Sequence, residues 1–160
     1  MKLILLLPGK IKPKPLAVAE QEYKKRLADL GVETIEYRDE KIVANHPNKS
    51  KQAEAKRILQ FLKPKDFLIV CDERGKPIKT KQIADLIRAS QCGEHPVAGK
   101  HRIVIVVGGA LGLDETIRQQ ANMVWSLSSL IMAGGIARLV LLEGIYRAFT
   151  IINRHPYHNS

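Results

Sequence analysis

The sequence RIVIVVGGALG, residues 102–112, indicates the fold more clearly than any other stretch of this chain. Its first six residues, 102–107, are almost continuously β-branched and apolar, which is typical of a strand buried on both faces of a parallel sheet. The pair Gly108 and Gly109 follows at once, with Gly112 three residues later, and such glycines let the backbone turn sharply and a ligand approach its amides. Because ligands of parallel sheets bind beyond the carboxyl ends of the strands, two strand ends are candidate sites: CDERG (71–75) and this loop, which is the richer of the two.

Strand and helix patterns alternate on both sides of this stretch. Short apolar runs predict further strands, and apolar residues at helical spacing, bounded by Gly, Pro or Asp, predict helices. This alternation predicts one α/β domain over residues 1–160, with a mostly parallel sheet covered by helices on both faces. The predicted strands are 2–7, 32–37, 66–71, 102–107 and 124–130, the predicted helices are 16–30, 52–62, 80–89, 114–122 and 136–152, and residues 39–51 are predicted as a surface loop.

The positive charge of the chain is concentrated in its first half. The formal net charge is +10, and residues 1–81 contain 19 Lys and Arg against 11 Asp and Glu, whereas residues 82–160 contain 7 against 5. A basic half joined to a nearly neutral half is typical of a protein that faces a polyanion. Charge carries no information about chemistry, so a lysine-rich solvated surface explains it as well.

Several classes of protein are disfavoured by composition. The apolar run at residues 3–7 is too short for a membrane span or a signal-peptide core. Cys71 and Cys92 are the only cysteines and have no CxxC spacing, so we expect reduced thiols in a cytoplasmic protein, no structural metal site and no membrane association.

The glycine loop does not match the common phosphate-binding motifs. Its spacing is GGxxG rather than GxGxxG, and no GK[ST] follows, so the sequence excludes a P-loop. A dinucleotide fold would place a carboxylate about 20 residues further on, but residues 125–130 (WSLSSL) contain no acid. On these residues alone, a plain glycine turn remains an alternative to a ligand site.

Six motifs in order carry a resemblance to a known family. They are LLPGKIK (6–12), EYKKRL (22–27), GGALGL (108–113), SLS (126–128), LLEGIYRAF (141–149) and HPYH (155–158). Together they resemble the ribosomal large-subunit methyltransferase H family of the SPOUT superfamily over essentially the whole chain. The resemblance implies a SPOUT-type α/β fold with a trefoil knot in the cofactor-binding part, about residues 102–160, and a homodimer whose active site is completed across the interface. It also implies transfer of a methyl group from S-adenosylmethionine to the N3 atom of a pseudouridine in 23S rRNA, on assembled 70S ribosomes in the cytoplasm.

The same resemblance implies site residues. Catalytic and RNA-positioning roles fall on Arg147, Tyr157 and His158. Two departures touch the cofactor loop: many members have Pro-His where this chain has Ala133-Gly134, and Ala110-Leu111 after the double glycine differ from some relatives. The implied cofactor-binding residues are Val70, Cys71, Gly108, Gly109, Gly112, Leu127, Ser128, Ser129, Leu130, Ile131 and Met132.

The implied roles follow ordinary chemistry. The imide nitrogen must lose its proton to become a good nucleophile, so a cationic Arg147 would favour the anionic base and His158 would accept or relay the proton. Arg147 as a phosphate anchor is an equal alternative. Glu143 on the same helix is expected to be structural, either pairing with a nearby Arg or capping the interface. Two other functions stay open at this point: a SPOUT enzyme acting on tRNA or another rRNA base, and a non-catalytic RNA- or ribosome-binding protein.

Overall fold

Five parallel strands form one sheet in the order β2-β1-β4-β3-β5. The computed structural model describes residues 1–38 and 47–157. The predicted parallel sheet is confirmed, and its order places β1, β4 and β3 in the centre. The strands are β1 (Lys2–Pro8), β2 (Val32–Tyr37), β3 (Asp66–Pro77), β4 (Arg102–Val107) and β5 (Met123–Ser126).

Helices cover both faces of the sheet, as the alternating pattern predicts. On one face, α3 and α5 share a buried core with one side of the strands, and α1 packs against α5. On the other face, α2 and α4 bury Ile58 and Ile117 in a second core. The helices are α1 (Lys14–Asp29), α2 (Pro47–Phe61), α3 (Thr80–Cys92), α4 (Glu115–Gln120) and α5 (Gly134–Ile152).

Burial on both faces explains why the central strands are apolar without alternation. In β1, Leu3, Leu5 and Leu7 belong to the core under α1, α3 and α5, whereas Ile4 and Leu6 belong to the core under α2. Successive side chains of a strand point to opposite faces, so a strand covered on both sides must be apolar at every position.

Two strand ends differ from the prediction, and both differences lie beside the glycine loop. Strand β3 continues to Pro77 through an irregularity, so that Cys71 and Lys76 both lie opposite Trp125 of β5. The predicted strand 124–130 ends at Ser126, because the Ser126 hydroxyl donates to the Ser128 carbonyl (2.8 Å) and turns the chain. Side-chain hydrogen bonds of this kind compete with strand pairing.

Smaller differences concern helix ends. Helix α2 begins at Pro47, so part of the predicted surface loop is helical, while residues 39–46 of that prediction lie outside the described residues. Helix α3 continues to Cys92 and ends where Gly93 adopts a φ of 71°. Helix α5 begins at Gly134 rather than at residue 136. Within residues 1–38 and 47–157, no helix is both long and apolar enough to cross a membrane.

Candidate functional site

A cleft of about 450 Å³ opens at the carboxyl edge of the sheet. Three segments line it: the end of β3, the glycine loop after β4, and the chain from Leu127 to the start of α5. The first two follow adjacent central strands, and the third follows β5 beside β3. The cleft therefore lies where ligands of parallel sheets bind, and its volume is that of a small-molecule site.

The glycine loop is shaped by close packing and by one positive φ angle. Gly112 has a φ of 71°, and its amide donates to the Gly109 carbonyl (2.9 Å) to close a turn. A Cβ at Gly108 would lie 2.9 Å from the Leu113 amide nitrogen and 2.8 Å from the Leu113 Cγ. These positions therefore need glycine, and the backbone of the loop is open to the cleft.

A hydrogen bond to a carboxyl group of α2 fixes the position of the glycine loop. The Gly109 amide donates to Glu54 Oε1 (2.9 Å), and Glu54 is buried. The Tyr37 hydroxyl lies within donating distance of both Glu54 Oε1 (3.1 Å) and the Val107 carbonyl oxygen (2.9 Å). Sequence reasoning missed Glu54 and Tyr37, because neither lies in a recognised motif and their proximity depends on the tertiary fold.

Most of the predicted cofactor-binding residues line this one cleft. Of the others, Val70 is fully buried in β3 with its side chain in the core under α2 and α4, and Ser129 is exposed and does not line the cleft. The lining residues among those predicted are Cys71, Gly108, Gly109, Gly112, Leu127, Ser128, Leu130, Ile131 and Met132.

The mouth of the cleft is apolar and exposed. Leu130 and Ile131 retain 74% and 89% of their accessible surface, which is unusual for large apolar side chains next to each other. The Leu130 amide donates to the Ser128 hydroxyl (2.9 Å), so the turn that presents them is fixed. Adjacent exposed apolar side chains at a cleft indicate a surface that a ligand or partner covers.

Charged residues that the sequence analysis did not assign to the site also line the cleft. Asp72, Glu73 and Arg74 lie in β3 directly after its apolar part, and Lys51 of α2 lines the same cleft. Asp72 Oδ1 accepts from Arg74 Nε (2.9 Å), and Asp72 Oδ2 accepts from Arg118 Nη1 of α4 (3.2 Å). The strand-end rule does identify this segment, CDERG (71–75), as one of two candidate sites in the sequence, but the resemblance implies a cofactor contact there only at Cys71.

The one thiol in the cleft lining is uncharged. Desolvation raises the pKa of the Cys71 thiol well above its usual range. A protonated thiol behaves as a small apolar group, so Cys71 adds to the apolar part of the cleft and not to its charge.

A second group of side chains lies at the far end of α5. Tyr157 stacks edge to face on Tyr146 with ring centroids 5.1 Å apart, and its hydroxyl lies 3.5 Å from that of Tyr23 on α1. The hydrogen bond with Tyr157, together with burial, raises the pKa of Tyr23 to about 12. These contacts hold the chain that follows α5 against the helix pair α1 and α5.

Arg147 belongs to this second group. Its guanidinium lies 5.0 Å from the ring centroid of Tyr157, and its Nε donates to Glu143 Oε1 (2.8 Å). The hydrogen bond to Glu143 raises the pKa of Arg147, so the guanidinium stays charged. The predicted pairing of Glu143 with an arginine is confirmed, whereas His158 lies outside the described residues.

Within one chain, the cleft and the side chains around Arg147 and Tyr157 lie far apart. Gly134 lines the cleft, and Arg147 lies thirteen residues further along α5, which corresponds to roughly 20 Å at 1.5 Å per residue. No group of three or more His, Cys, Asp or Glu in the described part of the chain is arranged to hold a metal ion.

Comparison with known proteins gives consistent results over the full length. The family model described as "Predicted SPOUT methyltransferase" matches residues 1–158. The chain is 34% identical to Ribosomal RNA large subunit methyltransferase H of Syntrophotalea carbinolica, with 99% of each chain covered. It is 36% identical to the protein of the same name from Methylobacillus flagellatus, with 100% of each covered, and 37% identical to that from Clostridium botulinum, with 99% of each covered.

A solved structure supports the fold alone. The structure of a probable methylase family protein from Haemophilus influenzae superposes with a TM-score of 0.56 at 14% identity, covering 99% of this chain and 70% of that chain. Sheet, cleft and full-length similarity therefore point to one family.

Proposed function

The chain belongs to the SPOUT methyltransferase family, and from this premise we propose that it transfers a methyl group from S-adenosylmethionine to large-subunit ribosomal RNA. The finer target is the N3 atom of a pseudouridine in 23S rRNA, on assembled 70S ribosomes in the cytoplasm. The observation that carries this proposal is the cleft, because the predicted cofactor residues from β3, the glycine loop and residues 127–132 meet in it.

The residues of the cleft suit S-adenosylmethionine. Leu127, Leu130 and Met132 offer apolar surface for an adenine ring, and the open backbone after Gly108 offers amides and carbonyls for its edge. The cofactor has no phosphate, which agrees with a glycine loop that lacks a P-loop lysine. When bound, it supplies an electrophilic methyl group on a sulfonium, and the chain's part is to orient it and exclude water.

The position of the catalytic candidates supports a homodimer. Arg147 lies roughly 20 Å along α5 from the cleft of its own chain, and Tyr157 packs beside Arg147. Both are too far away to touch a base whose reacting atom sits in that cleft. A second copy that brings its own end of α5 to the cleft would complete the site. Arg147 would then stabilise the anionic base, and His158 would accept the proton.

An apolar strip on adjacent helices supports the same assembly. Ile136 and Val140 lie one turn apart on α5, and Val18 lies on α1, which packs against α5. All three are exposed in the single chain, and Val18 retains 71% of its accessible surface. Burying this strip together with Leu130 and Ile131 against a second copy would remove them from water.

We also propose the trefoil knot of the C-terminal part, about residues 102–160, within a single domain of residues 1–160. Its support is the close passage of two chain segments: a Cβ at Gly75 would lie 2.7 Å from the backbone of Val124 in β5. The irregular part of β3 thus lies directly against β5, and α5 then returns to pack on α1 and α3.

The test of the methyl-transfer proposal uses ribosomes from cells that lack the gene, labelled S-adenosylmethionine and the purified protein. Label in 23S rRNA of intact 70S particles, with little in free subunits or naked rRNA, is the expected result. Label in tRNA would keep the reaction and overturn the substrate. A folded protein that binds ribosomes without transferring label would contradict methyl transfer and favour a binding protein.

Variants test the assigned roles in the same assay. Arg147→Ala and His158→Ala should lower kcat by about 100-fold or more, the scale of general acid–base and electrostatic contributions. The matched control is Arg88→Ala, because Arg88 also forms an ion pair with a helix neighbour, Asp85, on the helix surface of α3. Unchanged kcat for either test variant would remove that residue from the mechanism.

A further inference from the structure

The segment from the end of β1 to the first residue of α1 carries three exposed lysines in five residues. Lys10, Lys12 and Lys14 alternate with Ile11 and Pro13 in this segment, and Pro15 follows at the start of α1. The prolines restrict the backbone and keep the segment from joining a sheet. The lysine loop, defined as residues 9–14, is therefore a short and stiff cationic element.

A buried arginine holds this lysine loop in place. Arg138 of α5 donates through Nη1 to the carbonyl oxygens of Pro8 (2.5 Å) and Gly9 (2.7 Å). Arg138 and its partner Glu20 retain only 3% and 6% of their side-chain surface. On the other side, the Gly9 amide donates to the Tyr37 carbonyl (2.8 Å). A buried and paired guanidinium is costly to assemble, and here it fixes the point where the lysine loop leaves the sheet.

The lysine loop lies beside the mouth of the cleft. Strand β1 pairs with β4 in parallel, so the lysine loop and the glycine loop leave the same edge of the sheet. A Cβ at Gly135 would lie 3.8 Å from the Ile11 side chain, and the preceding residue, Gly134, lines the cleft. The lysine loop therefore lies next to the cleft in which the proposed reaction takes place.

Among the described residues, no lysine of this loop forms an ion pair. Neither Lys12 nor Lys14 forms an ion pair with a residue in the ranges 1–38 and 47–157, and Lys10 interacts electrostatically with Glu36 only at longer range. Preorganised cations without partners lower the cost of binding phosphate, because the loop need not be ordered on association.

We propose that Lys10, Lys12 and Lys14 bind backbone phosphates of the substrate RNA next to the base that enters the cleft. This inference rests on the proposed function. A protein that neutralises phosphates releases counterions, so its affinity falls with salt by about 0.7 to 0.9 logarithmic units per decade for each contact. Removing phosphate contacts therefore makes the plot of log affinity against log salt less steep. A general loss of structure would not produce this specific change.

The test compares double variants in ribosome binding as a function of salt. Lys12→Ala with Lys14→Ala should reduce the slope of log affinity against log salt by about 1.4 to 1.8. It should also raise KM for ribosomes, while kcat and the Kd for S-adenosylmethionine stay unchanged. Lys12→Arg with Lys14→Arg keeps both charges and should keep the slope.

The matched control removes the same charge from the opposite edge of the sheet. Lys65 and Lys100 precede β3 and β4, so Lys65→Ala with Lys100→Ala should leave the slope unchanged. An unchanged slope in the lysine-loop variant, or an equal loss in the control, would overturn the proposal. Because binding is measured apart from methyl transfer, a wild-type chain that binds ribosomes but transfers no methyl group refutes the proposed reaction and leaves this test valid.

Discussion

Glu54 shows how one buried side chain can govern a loop made of backbone. The glycine loop has few side chains of its own to fix its shape, and the Gly109 amide is held by a carboxyl oxygen 2.9 Å away on α2. The same oxygen lies 3.1 Å from the Tyr37 hydroxyl, which also reaches Val107 at the end of β4. The loop is thus positioned by residues from another layer of the fold.

Replacing Glu54→Ala should therefore weaken the binding of S-adenosylmethionine by about tenfold or more. The variant removes the acceptor of the partly buried Gly109 amide and one of the two acceptors near the buried Tyr37 hydroxyl, which costs about 1–3 kcal/mol. Titration calorimetry measures the Kd, and urea unfolding measures the stability. Glu22→Ala is the control, because Glu22 pairs with Arg26 on the surface of α1. Equal Kd values for the two variants would show that Glu54 does not position the loop.

Tyr23 makes the stability of the α1–α5 region depend on alkaline pH. Its folded-state pKa of about 12 exceeds the value of about 10 for an unfolded chain. The folded state thus holds the proton more tightly, so the stabilisation is complete below about pH 10 and is lost as the pH rises through about 12. Tyr23→Phe should flatten the fall in unfolding free energy over this window, measured by urea unfolding at several pH values. Tyr146→Phe, which leaves the Tyr23–Tyr157 bond intact, should keep the slope.

At the scale of elements, helix α5 carries two arginines with opposite expected roles. Arg138 is buried against Glu20 and the end of β1, whereas Arg147 is about one-third exposed beside Glu143. Breaking a buried pair leaves an uncompensated charge and costs about 3–5 kcal/mol, but an exposed helix pair contributes only about 0.5 kcal/mol or less.

Arg138→Ala should accordingly lower the unfolding free energy by about 3–5 kcal/mol, and Arg147→Ala should change it by less than about 0.5 kcal/mol. Thermal and urea unfolding of the two variants measure the difference. The contrast matters for activity, because loss of methyl transfer in the stable Arg147→Ala variant then reflects chemistry and not folding. Comparable destabilisation by both changes would contradict this division of roles.

The close approach of the irregular part of β3 to β5 requires that residue 75 has no Cβ. A Cβ at Gly75 would lie 2.7 Å from the carbonyl carbon and oxygen of Val124 and 2.8 Å from the amide nitrogen of Ser126. Because these are backbone atoms, they can move only by disturbing strand pairing, so Gly75→Ala should lower the free energy of unfolding by about 1–3 kcal/mol. It should also weaken cofactor binding, because Asp72 and Leu127 of the cleft lie nearby. Gly144→Ala is the control: nothing lies within 4 Å of its added Cβ in α5, and it should stabilise by about 0.5–1 kcal/mol. Equal stability of the two variants would refute the close approach of β3 to β5 at Gly75.

The sequence predicts the bounds of an element well where they follow from the local pattern of residues. It predicts them poorly where they depend on contacts with residues distant in sequence. Strands β2 and β4 have the predicted bounds, because continuous apolar residues between turn signals are a local property. The end of β5 at Ser126 depends on a side-chain hydrogen bond, and the extension of β3 to Pro77 depends on its irregular pairing with β5. The glycine loop is predicted as a ligand site from strand-end geometry, but Glu54 and Arg138 act through contacts distant in sequence.

At the scale of the whole molecule, the proposed site residues fall into two groups that do not meet within one chain. The cleft lies at the start of α5, and Arg147 and Tyr157 lie at its other end. The exposed apolar side chains Leu130 and Ile131 at the mouth, with Val140 along α5, are explained if a second copy covers them. No sequence pattern shows this separation, because it follows from the direction in which α5 leaves the cleft.

A mixed dimer tests this assembly. In Gly108→Ala, the added Cβ lies 2.9 Å from the Leu113 amide nitrogen and deforms the cofactor loop, whereas Arg147→Ala removes the cation at the far end of α5. Each homodimer has two defective sites and should be inactive. A heterodimer joins the intact cleft of one chain to the intact Arg147 of the other, so differently tagged and co-purified chains should regain about half of the wild-type methylation rate. If both groups acted within one chain, every site of the heterodimer would keep a defect, and a pure heterodimer without activity would therefore refute the shared site.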